Sequence, residues 1–445
     1  AALALVVERE RRHDKALVEL DQQVLVVLLA ESQARGPHPV LLERTPYDKR
    51  GTRAAEITAK DRIPLPQAAM AAFFVRHGYC VVIQDCRGRY RSEGRFEKYV
   101  GEAADGFDTL EWIARQPWSI GRTAMFGLSY CAHVQMAAAC LSPPSLAGML
   151  LDSGGFSDAF QGGIRQGGAF ELKQATWAIN QAGLKLGADE IRAWFGRLPW
   201  APGASPLAAS PEYESYLFEQ WREECFTDYW KQPGLYALGH IDRIPDVPIL
   251  LMSSWYDPYP RTATDNFVAL RRAGRKAPLS LVLGPWMHGR RSDSWAGDVD
   301  FGADATLDGA LAKSYLEFRL RFFDGVFGRG PAQRAPAVRY FRMGGGTGAR
   351  NAQGRVVAGG QWMSSSDWPL PGTREASWYL GGDGGFDDAP GDDASREYDF
   401  DPEHPVPSIG GTITSGAPLV EGGAFDQRES DRKSTRLNSS HVALS

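Results

Sequence analysis

The 445-residue chain predicts an α/β fold in which a parallel sheet is covered by helices, interrupted by a helical insertion and followed by an all-β region. Three observations carry this expectation. Apolar strand-like runs alternate with helix-period segments over 39–155 and again over 247–330, the order that builds parallel sheets. Between them, 156–246 is rich in tryptophan and poor in β-branched runs, with amphipathic stretches at 170–184 and 213–224. Beyond Pro331 the helical period ends, and short runs such as 338–343 and 377–380 alternate with Gly, Asp and Pro turns.

A chain of this length is expected to divide into more than one domain. The composition shifts put the two parts of the sheet domain at 1–155 and 247–330. The insertion at 156–246 lies over the carboxyl ends of the strands, where open α/β sheets bind ligands. A partial β domain fills 331–431, and the polar, patternless run around Arg432 to His441 marks 432–445 as a non-native tail.

Taken in order, the apolar runs 3–7 and 24–30 read as edge strands, or as a helix followed by a strand. The second run follows a mostly basic segment, 11–15, as a signal peptide would, but Glu19 and Asp21 interrupt it and no Met opens the chain. Residues 39–43 begin a buried strand that Pro46 stops, presenting Tyr47 in the next loop. Residues 67–77 place Met70, Phe73 and Phe74 at helical spacing, with Gly78 as the stop. A Val-rich strand at 79–84 leads into the loop 85–94, and 102–116 returns to helical period through Phe107, Leu110, Trp112 and Ile113. Further strands are expected at 146–151, 247–253 and 279–283, and helices at 266–273 and 310–323.

A net charge of -5 and a pI near 6.0 argue against a nucleic-acid binder, which carries a basic excess. Arg87, Arg89, Arg91 and Arg95 cluster, but Asp85, Glu93 and Glu97 interleave with them, which predicts a paired surface loop. No apolar run approaches the roughly 20 residues needed to span a bilayer. Cys80, Cys86, Cys131, Cys140 and Cys225 form neither a C-x-x-C pair nor a zinc-like spacing with the histidines. Reduced thiols in a cytoplasmic protein, with no metal and no cofactor, are therefore expected.

The stretch 121–141 reads as strand, sharp turn and helix: an apolar run at 123–126, a permissive Gly127, and an Ala-rich helix at 134–141. Ser129 stands at the corner, its hydroxyl lifted above the sheet with a helix N-terminus behind it. This is a nucleophile elbow with Cys131 where the second glycine of Gly-x-Ser-x-Gly belongs; the bland alternative is a turn capped by Ser129. A serine nucleophile needs a base, and the base needs a carboxylate to hold its tautomer. Asp257 and His288 each follow a strand, so nucleophile, acid and base come in the chain order of α/β-hydrolases. Asp265 or Asp246 could supply the acid instead, Asp257 could merely start a turn before Pro258, and His288 could be packed on Trp286. His133, on the elbow helix, is a rival base but points away from the hydroxyl, and reads as a surface or packing residue. His77 and His240 end expected helices, where the dipole favours them.

Five segments carry a resemblance. Arg44-Thr45-Pro46-Tyr47-Asp48-Lys49, Asp85-x-Arg87-Gly88 with Ser92-x-Gly94, Gly127-x-Ser129-Tyr130-x-Ala132, Trp255-Tyr256-Asp257 and Gly284-Pro285-Trp286-x-His288-Gly289 together look like the CocE/NonD hydrolases. That group includes cocaine esterase, α-amino-acid ester hydrolases, glutaryl acylases and X-Pro dipeptidyl-peptidases, and the likeness runs from Pro39 to Gln427. It implies an α/β-hydrolase fold with a helical cap and a C-terminal β jelly roll, here incomplete. It implies Ser129 as nucleophile, His288 as base and Asp257 as orienting acid, with an oxyanion hole made by the Tyr47 phenol and the Tyr130 backbone N–H. The activity implied is hydrolysis of carboxylic esters through an acyl-enzyme. X-Pro dipeptidyl-peptidase or β-lactam and amino-acid ester acylase activity would use the same triad, and a non-catalytic binding protein is a remote alternative. The partner implied is a small ester or short peptide, with neither nucleic acid nor membrane, and a homo-oligomer is left open. Asp158, Glu171, Glu223 and Glu224 are the cap's candidate anchors for a charged substrate group. Residues 18–34 depart from the family's short Asp-Gly hairpin, and Ala132 replaces its commoner glycine.

Overall fold

The computed structural model describes residues 36–330 (Ala54 by its backbone), 336–381, 385–393, 395 and 407–428, together with the backbone of 6–7, 15–20 and 24–29. Its centre is an eleven-stranded sheet made of β1 (Val6–Val7), β2 (Lys15–Leu20), β3 (Val24–Leu29), β4 (His38–Thr45), β5 (Cys80–Asp85), β6 (Ser119–Leu128), β7 (Leu146–Asp152), β8 (Ile249–Tyr256), β9 (Leu279–Met287), β10 (Val338–Met343) and β11 (Gly360–Ser365). The spatial order is β1-β2-β3-β5-β4-β6-β7-β8-β9-β10-β11. From β5 to β10 every pairing is parallel, and antiparallel strands close both edges.

Why these runs form central strands is visible in their side chains, which are apolar on both faces. Val40, Leu42 and Val82 point to one cluster, and Leu41, Val81 and Ile83 to the other. The first face is covered by α2 (Glu102–Ala114), α3 (Tyr130–Ala139) and α7 (Pro260–Arg272), which contribute Leu110, Ile113, Met136 and Phe267. The second is covered by α1 (Gln67–Arg76) and α8 (Tyr315–Val326), through Met70, Phe74 and Phe323. Between β7 and β8 the chain forms the insertion, with a short hairpin and the helices α4 (Lys173–Gln181), α5 (Ala188–Phe195) and α6 (Pro211–Arg222). Its core is aromatic: Phe156, Trp177, Trp194, Tyr213, Tyr216 and Trp230 pack with Phe96, Tyr99 and Tyr130 from the sheet domain.

Several expectations need correction. Of the two readings of the runs 3–7 and 24–30, the structure takes edge strands over a helix and a strand: 6–7 and 24–29 are strands, and 15–20, not expected as one, pairs antiparallel with both, Lys15 lying opposite Leu29. The segment 338–343, expected in the β domain, extends the central sheet parallel to β9. Among the described residues beyond 343, β11 also joins that sheet, and the remaining strands are two-residue pairs that build no jelly roll. The expected tail at 432–445 lies outside the described residues. The arginine loop is not simply a surface loop either. Asp85 is buried and accepts the Lys49 N–H at 2.7 Å, and Arg89 is buried, donating from Nε to the Pro46 carbonyl at 3.0 Å. That loop therefore pins the segment presenting Tyr47. His240 lies within a 3-10 turn, Ala237–Arg243, and contacts the Lys231 carbonyl instead of ending a helix.

Candidate active site

Ser129 joins β6 to α3 with φ 63 and ψ -120, a conformation in which a non-glycine residue is strained and which persists only where the surroundings over-determine it. Two neighbours do so. The Ser129 N–H donates to the Asp152 carbonyl at 2.8 Å, and the backbone of Gly154 passes so close that a Cβ there would lie 2.4 Å from the Ser129 main-chain carbonyl oxygen. Cys131 is tolerated in place of the second glycine because Gly127 yields the space: a Cβ on Gly127 would fall 2.3 Å from the Cys131 Cβ. The elbow thus keeps its tight turn with the glycine on the strand side alone.

Asp257 and His288 come together. His288 Nδ1 is 2.7 Å from Asp257 Oδ2, and the second carboxylate oxygen accepts the Tyr259 N–H at 2.7 Å. Asp257 is fully buried, while the His288 side chain keeps 16% exposure, so the ring is reachable from solvent and the carboxylate is not. The His288 loop lies against the strand that leads to Ser129, because a Cβ on Gly289 would meet Leu128, the residue before Ser129, at 2.9 Å. Tyr47 approaches from the loop after β4. Its hydroxyl accepts from Trp177 Nε1 at 3.2 Å and lies beside the Ser129 side chain. Burial pushes the Tyr47 phenol up to about 12, so it keeps its proton at any ordinary pH. Among the described residues no hydrogen bond joins His288 to Ser129, a contact that often tightens only once substrate is bound.

Tyr130 opens α3, so its N–H has no intrahelical acceptor and belongs to the positive end of the helix. Its side chain is a buried strut: the hydroxyl donates to Glu102 at 2.9 Å and accepts the Tyr99 N–H at 2.9 Å, while Glu102 pairs with Arg44 at 2.7 Å.

The alternatives fall elsewhere. Asp265 pairs with Arg261 on the surface, and Asp246 accepts the Lys276 and Ala277 N–H groups at 3.1 Å. His133 is buried, stacked on Phe156 at 3.7 Å, and its Nδ1 accepts the Gly155 N–H at 2.8 Å; burial holds its pKa well below the usual value, so it stays neutral. Of the cap carboxylates, Asp158 caps the 160–161 turn, Glu223 binds Thr227, Glu224 is exposed, and Glu171 pairs with Lys173. Two residues escaped sequence reasoning. Trp177 reaches Tyr47 from the cap, and Lys98 is buried over the Trp177 ring at 3.7 Å, donating to Gln174 at 2.8 Å. Desolvation lowers the Lys98 pKa well below the usual amine value. Nothing local in the sequence marks either residue, since both partnerships span the sheet and the insertion.

The pattern of the X-Pro dipeptidyl-peptidase (S15) family matches residues 22–290, more than half of the chain. The chain belongs to this family. A cocaine esterase from Rhodococcus is 30% identical over 425 residues, covering 87% of this chain and 67% of that protein. Among solved structures, an α-amino acid ester hydrolase superposes with a TM-score of 0.61 at 22% identity, covering 94% of this chain and 68% of that one. A CocE/NonD family hydrolase from Staphylococcus aureus gives 0.57 at 20% identity, covering 87% of this chain and 59% of that one. These superpositions show the shared α/β-hydrolase fold. No group of three or more metal-ligating side chains occurs among the described residues, and no described helix is long and apolar enough to cross a membrane.

Proposed function

We propose that this S15-family chain is a serine hydrolase of carboxylic esters. Ser129 Oγ attacks the ester carbonyl while His288 Nε2 takes its proton; Asp257 holds Nδ1–H and stabilises the imidazolium. The Tyr47 hydroxyl and the Tyr130 N–H donate to the oxyanion. Collapse of the tetrahedral intermediate expels the alcohol, which receives the proton from His288, and water activated by the same base then releases the acid. The observation that carries the reading is the Asp257–His288 contact of 2.7 Å, made by residues at the ends of adjacent strands whose loop abuts the strained Ser129 turn. A neutral, partly buried phenol beside the serine supports its role as donor. The similarity to a cocaine esterase favours a small ester as substrate, and five free cysteines, four of them buried, favour an intracellular setting.

A second reading, release of X-Pro dipeptides, is favoured by the family match itself. Turnover of p-nitrophenyl butyrate against that of an X-Pro anilide separates the two, with the ester expected to be the better substrate. Ser129→Ala is expected to abolish it; unchanged turnover by purified Ser129→Ala would refute the assignment.

A further inference from the structure

The nucleophile and the base loop meet at a residue that belongs to neither. Asp152 ends β7, and its main-chain oxygen accepts the Ser129 N–H at 2.8 Å. Its carboxylate is buried and fully engaged: Oδ1 accepts the Ser153 hydroxyl at 3.0 Å, while Oδ2 accepts the Tyr315 hydroxyl at 2.9 Å and the Arg291 guanidinium. Arg291 stands three residues after His288, itself buried. Its second Nη donates to the Ala55 carbonyl at 3.1 Å, and its guanidinium lies 3.7 Å from the Tyr315 ring centre. The next residue repeats the attachment, Ser292 donating to the Ile57 carbonyl at 2.9 Å. One buried carboxylate thus anchors the loop that carries the base, and the same residue's carbonyl holds the amide of the nucleophile.

We propose that Asp152 and Arg291 are positioning residues that clamp the His288 loop to the strand end holding Ser129, and so set the approach of the imidazole to the hydroxyl. This rests on the serine-hydrolase reading above. A buried ion pair is weak evidence of stability, since apolar replacements of similar volume are often tolerated. What distinguishes this pair is where it is attached: displacing the His288 loop by about 1 Å can cost roughly 100-fold in rate.

The test compares Asp152→Asn, Arg291→Lys, Tyr315→Phe and the double variant Asp152→Leu/Arg291→Met in p-nitrophenyl butyrate hydrolysis and thermal melting. In the folded single variants Asp152→Asn and Arg291→Lys, kcat is expected to fall about 100-fold with KM nearly unchanged. Tyr315→Phe, which keeps the ion pair, should lose less, and it reports on the clamp even where a charge-removing variant fails to fold. The double variant removes the orphan charge, so its melting temperature should recover toward wild type while kcat stays low. Recovery of kcat together with the melting temperature, or single variants that keep wild-type kcat, would overturn the proposal while leaving the serine-hydrolase reading intact. A wild-type protein without Ser129-dependent ester turnover would overturn both.

Discussion

Tyr47→Phe removes a single oxygen. That oxygen accepts from Trp177 Nε1 at 3.2 Å beside the Ser129 side chain, and in the proposed reaction it donates to the developing oxyanion. Losing one such donor costs about 3 to 4 kcal/mol of transition-state stabilisation, or 10²–10³ in kcat, with little change in KM, since the ground-state carbonyl gains less from it. The same change leaves the buried Trp177 N–H without its acceptor, which lowers stability by about 1–3 kcal/mol. Kinetics and melting therefore report different consequences of one substitution. The pH dependence adds a sign. Because burial raises the folded-state phenol from 10.0 to about 12, its contribution to stability is whole below pH 10 and is lost as pH rises toward 12. Steady-state hydrolysis of p-nitrophenyl acetate from pH 6 to 10 should accordingly show no loss of activity from Tyr47 ionisation in that range. A Tyr47→Phe enzyme with kcat within a factor of about three of wild type would refute the oxyanion role.

Asp257→Asn, which keeps the shape but reverses the hydrogen-bond preference at His288 Nδ1, should lower kcat by about 10⁴ in the same assay with the fold preserved by circular dichroism. Gly127→Ala forces a Cβ to 2.3 Å from that of Cys131 at φ +151, so it should destabilise the protein by about 1–3 kcal/mol in denaturant unfolding, and adding Cys131→Gly should restore only the part due to that clash, since the backbone conformation still strains an alanine. Titration of the native protein with a thiol reagent at pH 8 should modify Cys225 alone, the one exposed cysteine, and all five only after denaturation; burial raises Cys131 and Cys140 to about 12.

How much of this was legible in the sequence depended on the range of the partnerships. Strand, elbow and helix over 119–139 follow from local signals, an apolar run, a glycine and an Ala-rich segment, and the structure forms them there. Asp257 and His288 could be picked out because each follows an apolar strand, and those strands are parallel neighbours. The segment 338–343 was misplaced because its composition reads equally as a sheet edge or a β-domain strand, and only pairing with Leu281–Leu283 decides. The charges around Arg89 in sequence suggest a paired surface loop, yet the Pro46 carbonyl, 43 positions away, draws Arg89 inward. The contacts Trp177–Tyr47 and Arg291–Asp152 span 130 and 139 positions, and no periodicity encodes contacts of that kind.

The central claim, that Ser129 is an activated nucleophile served by His288, is tested most directly by covalent labelling with a fluorophosphonate, read by intact mass and peptide mapping. One adduct on the peptide carrying Ser129 is expected, absent in Ser129→Ala and slowed by orders of magnitude in His288→Ala. An ester-hydrolysing protein that remains unlabelled at Ser129, or labels there equally fast without His288, would contradict it.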